Sequence, residues 1–234
     1  MPAPVDVIIP TLNAADALPD CAEALLPGVT SGLIGNLIVS DGGSTDGTQN
    51  IAKELGAIVI EGKPSRGGQI RQGVERSNAP WVLIVHADTE LSPTWVEAVQ
   101  RHRESNPNQA GFFRLAFSSS GMAAAIVAGG ANLRSNWLKL PYGDQGLFVS
   151  RSLLDDVGGV PDVPLMEDVM LAKALKGRMR MLDATATTSA MKYERDGWVR
   201  RVVRNLTTLL RFKLGVSPDQ LAQTYDRRSQ SSEN

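Results

Sequence analysis

The most restrictive feature of this sequence is a series of short, unbroken apolar runs, each followed by a longer segment of helical character. "VDVIIP" (5–10) precedes "AADALPDCAEALL", which reads as a helix broken or started around Pro19. "NLIVS" (36–40) precedes "GTQNIAKELG", a helix closed by Gly56. "AIVIE" (57–61) precedes "SRGGQIRQGVERSN", helical in its second part. "WVLIVH" (81–86) leads through the connection "ADTELSP" into the helix "TWVEAVQRHRES". Strands without polar alternation are covered on both faces, and strands separated by helices run parallel. The expected fold is α/β, a Rossmann-like, mostly parallel sheet with helices on both faces.

The second half is less regular. "AGFFRLAFS" (110–118) and "QGLFVS" (145–150) read as strands, with the helix "GMAAAIVAGGANLRSNW" between them. "RSLLDDVGG" is a short helix with a glycine stop. "PLMEDVMLAKALKG" is a helix with Pro164 near its start and Gly177 at its end. "RMRMLDATATTSA" offers one or two strands, and the final "DRRSQSSEN" (226–234) has the composition of a disordered tail. The chain has 234 residues, enough for one large domain. A single domain over 1–225 is expected, with a ligand-binding half at about 1–100, a second half at 101–190 and C-terminal helices at 191–225.

Composition excludes several classes. A net charge of −1 gives no electrostatic pull toward nucleic acid. One cysteine, Cys21, rules out an internal disulfide framework and fits a reducing compartment. The start "MPAPVDVIIP" has no basic leader, so a cytoplasmic location is expected. No G-x-G-x-x-G follows the first strand, no P-loop occurs, and no G-x-S-x-G elbow occurs. One cysteine and two histidines are poor arithmetic for zinc.

What remains is a set of carboxylates at element ends. In an open parallel sheet, ligands bind beyond the carboxyl ends of the strands. "SDGGSTDGT" (40–48) lies at such an end. Asp41 comes straight off the strand and can accept hydrogen bonds from a base edge such as the N3–H of uracil. Asp46 can cap the helix starting near Gly47. Asp88, in "VHADTEL", either begins a turn or supplies an oxygen ligand to a hard divalent cation. Glu167 and Asp168, in "MEDVM", either complement a helix dipole or face a pocket, where one acts as a general base.

Taken in order, "VIIPTLN", "VSDGGSTDGT", "HADT", "GDQGLFVSR" and "GGVPDVPLMEDVMLAKAL" resemble the motifs of glycosyltransferase family 2. The resemblance runs from about Val5 to about Tyr225. "ANLRSNW" and "LPYGDQGLF" are similar to the bacterial subgroup described as radical-SAM/selenodomain-associated. The resemblance implies the GT-A fold and an inverting transfer of a sugar from a nucleotide-diphosphate donor, a UDP-sugar first, to a small-molecule or lipid acceptor. It implies that Pro10, Thr11 and Asn13 wall the base and ribose, that Asp41 recognises the base, and that Arg66 contacts the nucleotide. Asp88 would hold Mg²⁺ or Mn²⁺ as the last acid of a D-x-D-like signature, whose first position is His86 here. Asp168 would be the catalytic base with Glu167 beside it, and Asp144 and Gln145 would approach the donor sugar and acceptor. A nucleotidyltransferase and a nucleotide-sugar-binding protein without catalysis are the alternatives. The first wants a lysine-rich phosphate loop that "TLNAAD" does not supply, and the second is opposed by the retained Glu167–Asp168.

Charge is unevenly spread. Residues 192–213 hold seven Lys/Arg against two acids, a balance of +5 that leaves −6 elsewhere. Within them, Trp198, Val199, Val202, Val203, Leu206, Leu209 and Leu210 recur at helical spacing. Residues 198–214 therefore form a basic amphipathic helix. It either packs on the domain with its arginines in solvent, or lies on the inner face of an anionic membrane.

Overall fold

The computed structural model describes residues 3–230. The first half alternates as expected: β1 (Val5–Thr11), α1 (Leu18–Thr30), β2 (Ile34–Asp41), α2 (Thr48–Glu54), β3 (Ile58–Glu61), α3 (Arg66–Arg76) and β4 (Trp81–Ile84). There follow β5 (Thr89–Leu91), α4 (Trp95–Ser105), β6 (Ala110–Phe117), α5 (Met122–Leu138), a 3-10 turn (Gly143–Gln145) and β7 (Leu147–Ser150). The chain continues through α6 (Arg151–Asp156), α7 (Glu167–Ala174), β8 (Met179–Thr188), α8 (Met191–Asp196), α9 (Trp198–Lys213) and α10 (Pro218–Gln230).

All eight strands join one sheet in the order β3-β2-β1-β4-β7-β6-β8-β5. β1, β2, β3 and β4 pair in parallel, as continuous apolar runs joined by helices require. Beyond β4 the sheet is mixed: β7 lies antiparallel to β4 and β6, β6 and β8 are parallel, and β5 runs antiparallel to β8. The expected α/β sheet is present, with its parallel character concentrated in the first half. β5 lies inside "ADTELSP", where three residues are too few to show a period.

Both faces of the sheet are covered. One apolar layer, around Val7, Ile9, Leu83, Trp95 and Phe148, lies beneath α1 and α4. The other, around Ile8, Ile38, Val82, Phe112, Leu154 and Leu175, lies beneath α3, α6 and α7. α3 comes close to β1 because Gly73 faces Ile8, and a Cβ at that position would collide with the Ile8 side chain. Asp6 is buried in the sheet and fully used. One oxygen accepts from Asn36 N and Nδ2, and the other from Ser77 Oγ and the amides of Asn78 and Ala79.

Several element ends differ from the sequence reading. α1 starts at Leu18, with Pro19 in its first turn, and runs on through Pro27 to Thr30. α7 starts at Glu167 rather than near Pro164, because Met166 adopts a left-handed conformation (φ 71°) and sets the helix start there. α10 extends to Gln230, so helix occupies the first residues of the segment expected to lack structure. Residues 231–234 of that expected tail lie outside the described residues.

Candidate active site

The carboxyl ends of β1 and β2 carry two loops stitched into one surface. Asp41 is fully buried, and its Oδ1 accepts from the amides of Gly43 and Ser44 and from Gln49 Nε2. Its Oδ2 accepts from the hydroxyls of Thr11 and Ser44. Desolvation works against the charged form, but the bonds from Ser44, Gln49 and Thr11 hold this carboxyl below its usual range. Five donors occupy the roughly four lone-pair sites of a carboxylate. Asp41 therefore builds the loop, and its oxygens face Thr11 and Ser44 rather than an open base position.

The neighbouring residues do similar work. Asn13, at φ 50°, accepts from Thr45 N through Oδ1 and donates its own amide to Ser44 Oγ. Asp46 accepts from Thr48 N and Oγ1 at the start of α2 and from Ala15 N across the loop, so it both caps and cross-links. Pro10 and Thr11 end β1 directly opposite Ser40 and Asp41. Gln69 of α3, which sequence reasoning passed over, donates to the carbonyls of both Thr11 and Ser40 at 2.7 and 2.8 Å. It locks the two strand ends together and places the start of α3, with Arg66, beside them.

A cleft opens at the start of α3, where Arg66 lines it; Pro10, Thr11, Asn13 and Asp41 are not among its lining residues. Arg66, His86, Asp88, Tyr142, Gly143, Asp144 and Asp168 line it from the sheet side. Three acids far apart in sequence, Asp88, Asp144 and Asp168, thus meet Arg66 around one hollow. Glu167 lies just behind, 3.6 Å from Arg66 and almost sealed from solvent. That distance is too long for a hydrogen bond, and neither Glu167 oxygen has a hydrogen-bond partner. Burial and the adjacent Asp168 push Glu167 up to about 7, against the pull of Arg66.

The turn at Gly143–Gln145 sets the geometry. The Gly143 amide donates to Asp168 Oδ2 at 2.9 Å, and the Val169 amide donates to Oδ1 at 2.7 Å. Both oxygens of Asp168 are thereby aimed while each keeps capacity to accept. Gly143 packs against the His86 ring so closely that a Cβ would lie 2.5 Å from its Cε1 and Nε2. Burial, with Arg66 and Lys192 nearby, lowers His86 to about 4, so its imidazole is neutral at physiological pH. Burial also raises Asp144 to about 6, with Arg134 opposing and Asp168 and Asp88 adding to the rise, and its Oδ1 has no hydrogen-bond partner.

Gln145 behaves differently from the expectation. Its Oε1 accepts from Ser135 Oγ and its Nε2 donates to Phe113 O, so both polar ends are spent in the interior. It ties the turn to β6 and α5 and does not line the cleft. Arg134 lies 3.6 Å over the Tyr142 ring and donates to Leu140 O. "ANLRSNW" and "LPYGDQGLF" are therefore the two sides of one contact.

The opposite wall of the cleft comes from the C-terminal helices, to which the sequence reading gave no part in the site. Lys192 and Tyr193 of α8, and Arg201, Asn205 and Thr208 of α9, line it. Asp196 anchors that wall by accepting from Arg195, Arg201 and Arg204. Although its burial opposes ionisation, the three guanidiniums bring Asp196 down to about 2. The arginine content of 192–213 was visible in the sequence, but the inward direction of Arg201 and Arg204 was not.

The donor set suits a hard divalent cation shared with a ligand. Asp88 presents carboxylate oxygens to the cleft, with Lys192 Nζ 3.8 Å away. Neutral His86 and the partnerless oxygen of Asp144 stand close by. Among the described residues no three His, Cys, Asp or Glu side chains are close enough to hold an ion by themselves. A bound diphosphate would have to complete the shell, as is usual for Mg²⁺.

The molecule is thus a mixed α/β sheet with three acids and an arginine gathered around one cleft. The profile of glycosyl transferase family 2 matches residues 6–137, more than half of the sequence, and the chain belongs to that family. It is 35% identical over 98 residues to glycosyltransferase AglJ of Haloferax volcanii, covering 40% of this chain and 31% of that one. It is 34% identical over 99 residues to a PGL/p-HBAD biosynthesis glycosyltransferase of Mycobacterium bovis, covering 39% and 38%. The matches thus span about a third of the length of these relatives. Among solved structures, S. aureus TarS (residues 1–349) superposes with a TM-score of 0.62 at 15% identity, covering 93% of this chain and 68% of that one. Glucosyl-3-phosphoglycerate synthase from Mycobacterium tuberculosis, in complex with Mn²⁺, uridine diphosphate and glucosyl-3-phosphoglycerate, gives 0.57 at 18% identity over 79% and 70%. Both likenesses establish the GT-A-like fold.

Proposed function

We propose that this protein transfers a sugar, with inversion, from a nucleotide-diphosphate donor, UDP first, to an acceptor hydroxyl bound between the sheet and α9. The observation that carries this reading is the convergence of Arg66, Asp88, Asp144 and Asp168 on one cleft. Structural neighbours bind UDP, UDP-GlcNAc and Mn²⁺ or Mg²⁺, which supports the choice of donor and cation. Residues 1–100 would hold the nucleotide and 101–190 much of the acceptor side, with α8 and α9 closing the cleft. The subgroup assignment rests on "ANLRSNW" and "LPYGDQGLF" alone.

In this reading Pro10, Thr11 and Asn13 form the wall for base and ribose, and Asp41 keeps that wall rigid. Arg66, held on one side by Glu167, turns its guanidinium to the diphosphate. Asp88 would hold the divalent cation, which when bound supplies Lewis-acid neutralisation of the departing diphosphate. Asp168 accepts the proton of the acceptor hydroxyl as its oxygen bonds to the anomeric carbon. The bond from that carbon to the diphosphate breaks, and the electron pair leaves with the phosphate oxygen. The Gly143 and Val169 amides fix the direction in which Asp168 accepts, and general-base help of this kind contributes ~10²–10⁴-fold.

The test is Asp168→Asn. Donor binding by calorimetry should stay close to native while sugar transfer or donor hydrolysis falls at least ~10²-fold. Near-native turnover would remove Asp168 from the base position. Absence of donor binding in the native protein would remove the transferase reading.

A further inference from the structure

α9 is inside out for a helix on the surface of a domain. Val199, Val203, Leu206, Leu210 and Leu214 recur at intervals of four, three, four and four residues and so share one face. That face points to solvent: the five side chains are between 53% and 78% exposed. The opposite face carries Arg201, Asn205 and Thr208 into the cleft and Arg201 and Arg204 onto Asp196. Arg201 and Arg204, expected in solvent, are inside, and most of the apolar stripe expected inside is in solvent.

α5 repeats the pattern. Ala124, Ala128 and Ser135 are buried, while Met122, Ile126, Leu133 and Trp137 share the outward face at 58–79% exposure. The only charged residue within α5 is Arg134, which lies over Tyr142. The two helices meet above one small core, where Val127 and Ala131 of α5, Tyr193 of α8 and Trp198 of α9 pack around Phe117. Nine large apolar side chains on two touching helices are more than scattered surface hydrophobics explain.

Charge identifies what covers them. α9 contains five Lys/Arg and no acid. Arg200 and Arg211 fall on one flank of its apolar stripe and Lys213 on the other. An apolar stripe with basic flanks and an exposed tryptophan nearby matches the boundary between anionic headgroups and acyl chains. No helix among the described residues is long and apolar enough to cross a membrane. We propose that the outward faces of α5 and α9 seat this protein on an anionic phospholipid surface, lying in the interface without spanning it. The proposal rests on the two helices and stands whether or not the reaction above is correct.

The experiment is flotation of the full chain with vesicles of phosphatidylcholine and phosphatidylglycerol, beside vesicles of phosphatidylcholine alone. Binding is expected to the mixed vesicles and to weaken as salt rises. R200Q/R211Q should lower the partition coefficient about fivefold for each charge removed. L206E/L210E and I126E/W137E should each lower it at least ~10-fold. All these positions are partly or largely exposed, so circular dichroism and thermal unfolding should stay native. A second readout needs no loss of contact: the fluorescence difference between native protein and W137F should shift to the blue on mixed vesicles. Failure to float on mixed vesicles at low salt overturns the proposal, as does flotation indifferent to both apolar pairs. A concentration-dependent dimer that L206E/L210E dissociates, without vesicle binding, overturns it in favour of a second copy of the chain.

Discussion

Replacing Glu167 with glutamine should flatten part of the pH dependence of stability. The native carboxyl is almost sealed from solvent, has no hydrogen-bond partner for either oxygen, and lies beside Asp168. Its pKa rises from 4.5 to about 7. At 1.36 kcal/mol per unit, that difference amounts to roughly 3 kcal/mol between protonated and ionised forms. The sign follows from proton binding. The folded chain holds this proton more tightly than the unfolded chain, so the contribution is complete below about 4.5 and is lost as pH rises through about 7. Glutamine keeps the shape and cannot ionise. Urea unfolding of both proteins from about pH 4 to about pH 8 should therefore show native stability falling relative to Glu167→Gln by roughly 3 kcal/mol. Asp144 titrates in the same range but is common to both chains and drops out of the difference. Parallel curves for the two proteins would refute the reasoning, because Glu167 would then be ionised at no cost.

Three further outcomes follow from the same geometry. Asp88→Ala should abolish the part of donor binding that depends on Mn²⁺ or Mg²⁺, seen as calorimetric titrations that no longer differ with and without EDTA. Gly143→Ala drives a methyl group into the His86 ring and should displace the amide that orients Asp168. Turnover is expected to fall at least ~10-fold while the donor is still bound, as single-turnover kinetics would show. Asp6→Ala leaves the Asn36 side chain, the Ser77 hydroxyl and the amides of Asn36 and Asn78 without their acceptor, and should cost about 3 kcal/mol in urea unfolding with no change in donor affinity.

Much of the fold was legible in the sequence, because β1, β4 and the second half of β2 are buried on both faces and announce themselves as unbroken apolar runs. β5 was not, since it exists only through its pairing with β8. The cleft was half legible. Asp88 and Asp168 stand where strand ends and a helix start place them, and Arg66 follows from its position in α3. Gln69 and the Gly143 amide were hidden, because a glutamine in a helix and a backbone N–H carry no signature of their own. Gln145 was misplaced for a related reason: its neighbour Asp144 faces the cleft, and adjacent residues of a 3-10 turn point in different directions. The periodicity of α9 was visible, but its orientation was decided by Asp196 at the end of α8, which draws Arg201 and Arg204 of α9 inward. A hydrophobic pattern states which residues share a face and leaves open which way that face looks.

The crowding of donors around Asp41 bears on how this protein would be re-engineered. A side chain committed to five hydrogen bonds is scaffolding, so exchanging it would loosen the platform before it altered the preference for anything bound there. Selectivity would have to be rewritten in the neighbouring main chain or at the rim. The same saturation means the platform is set before a guest arrives, and little ordering remains to be done on docking.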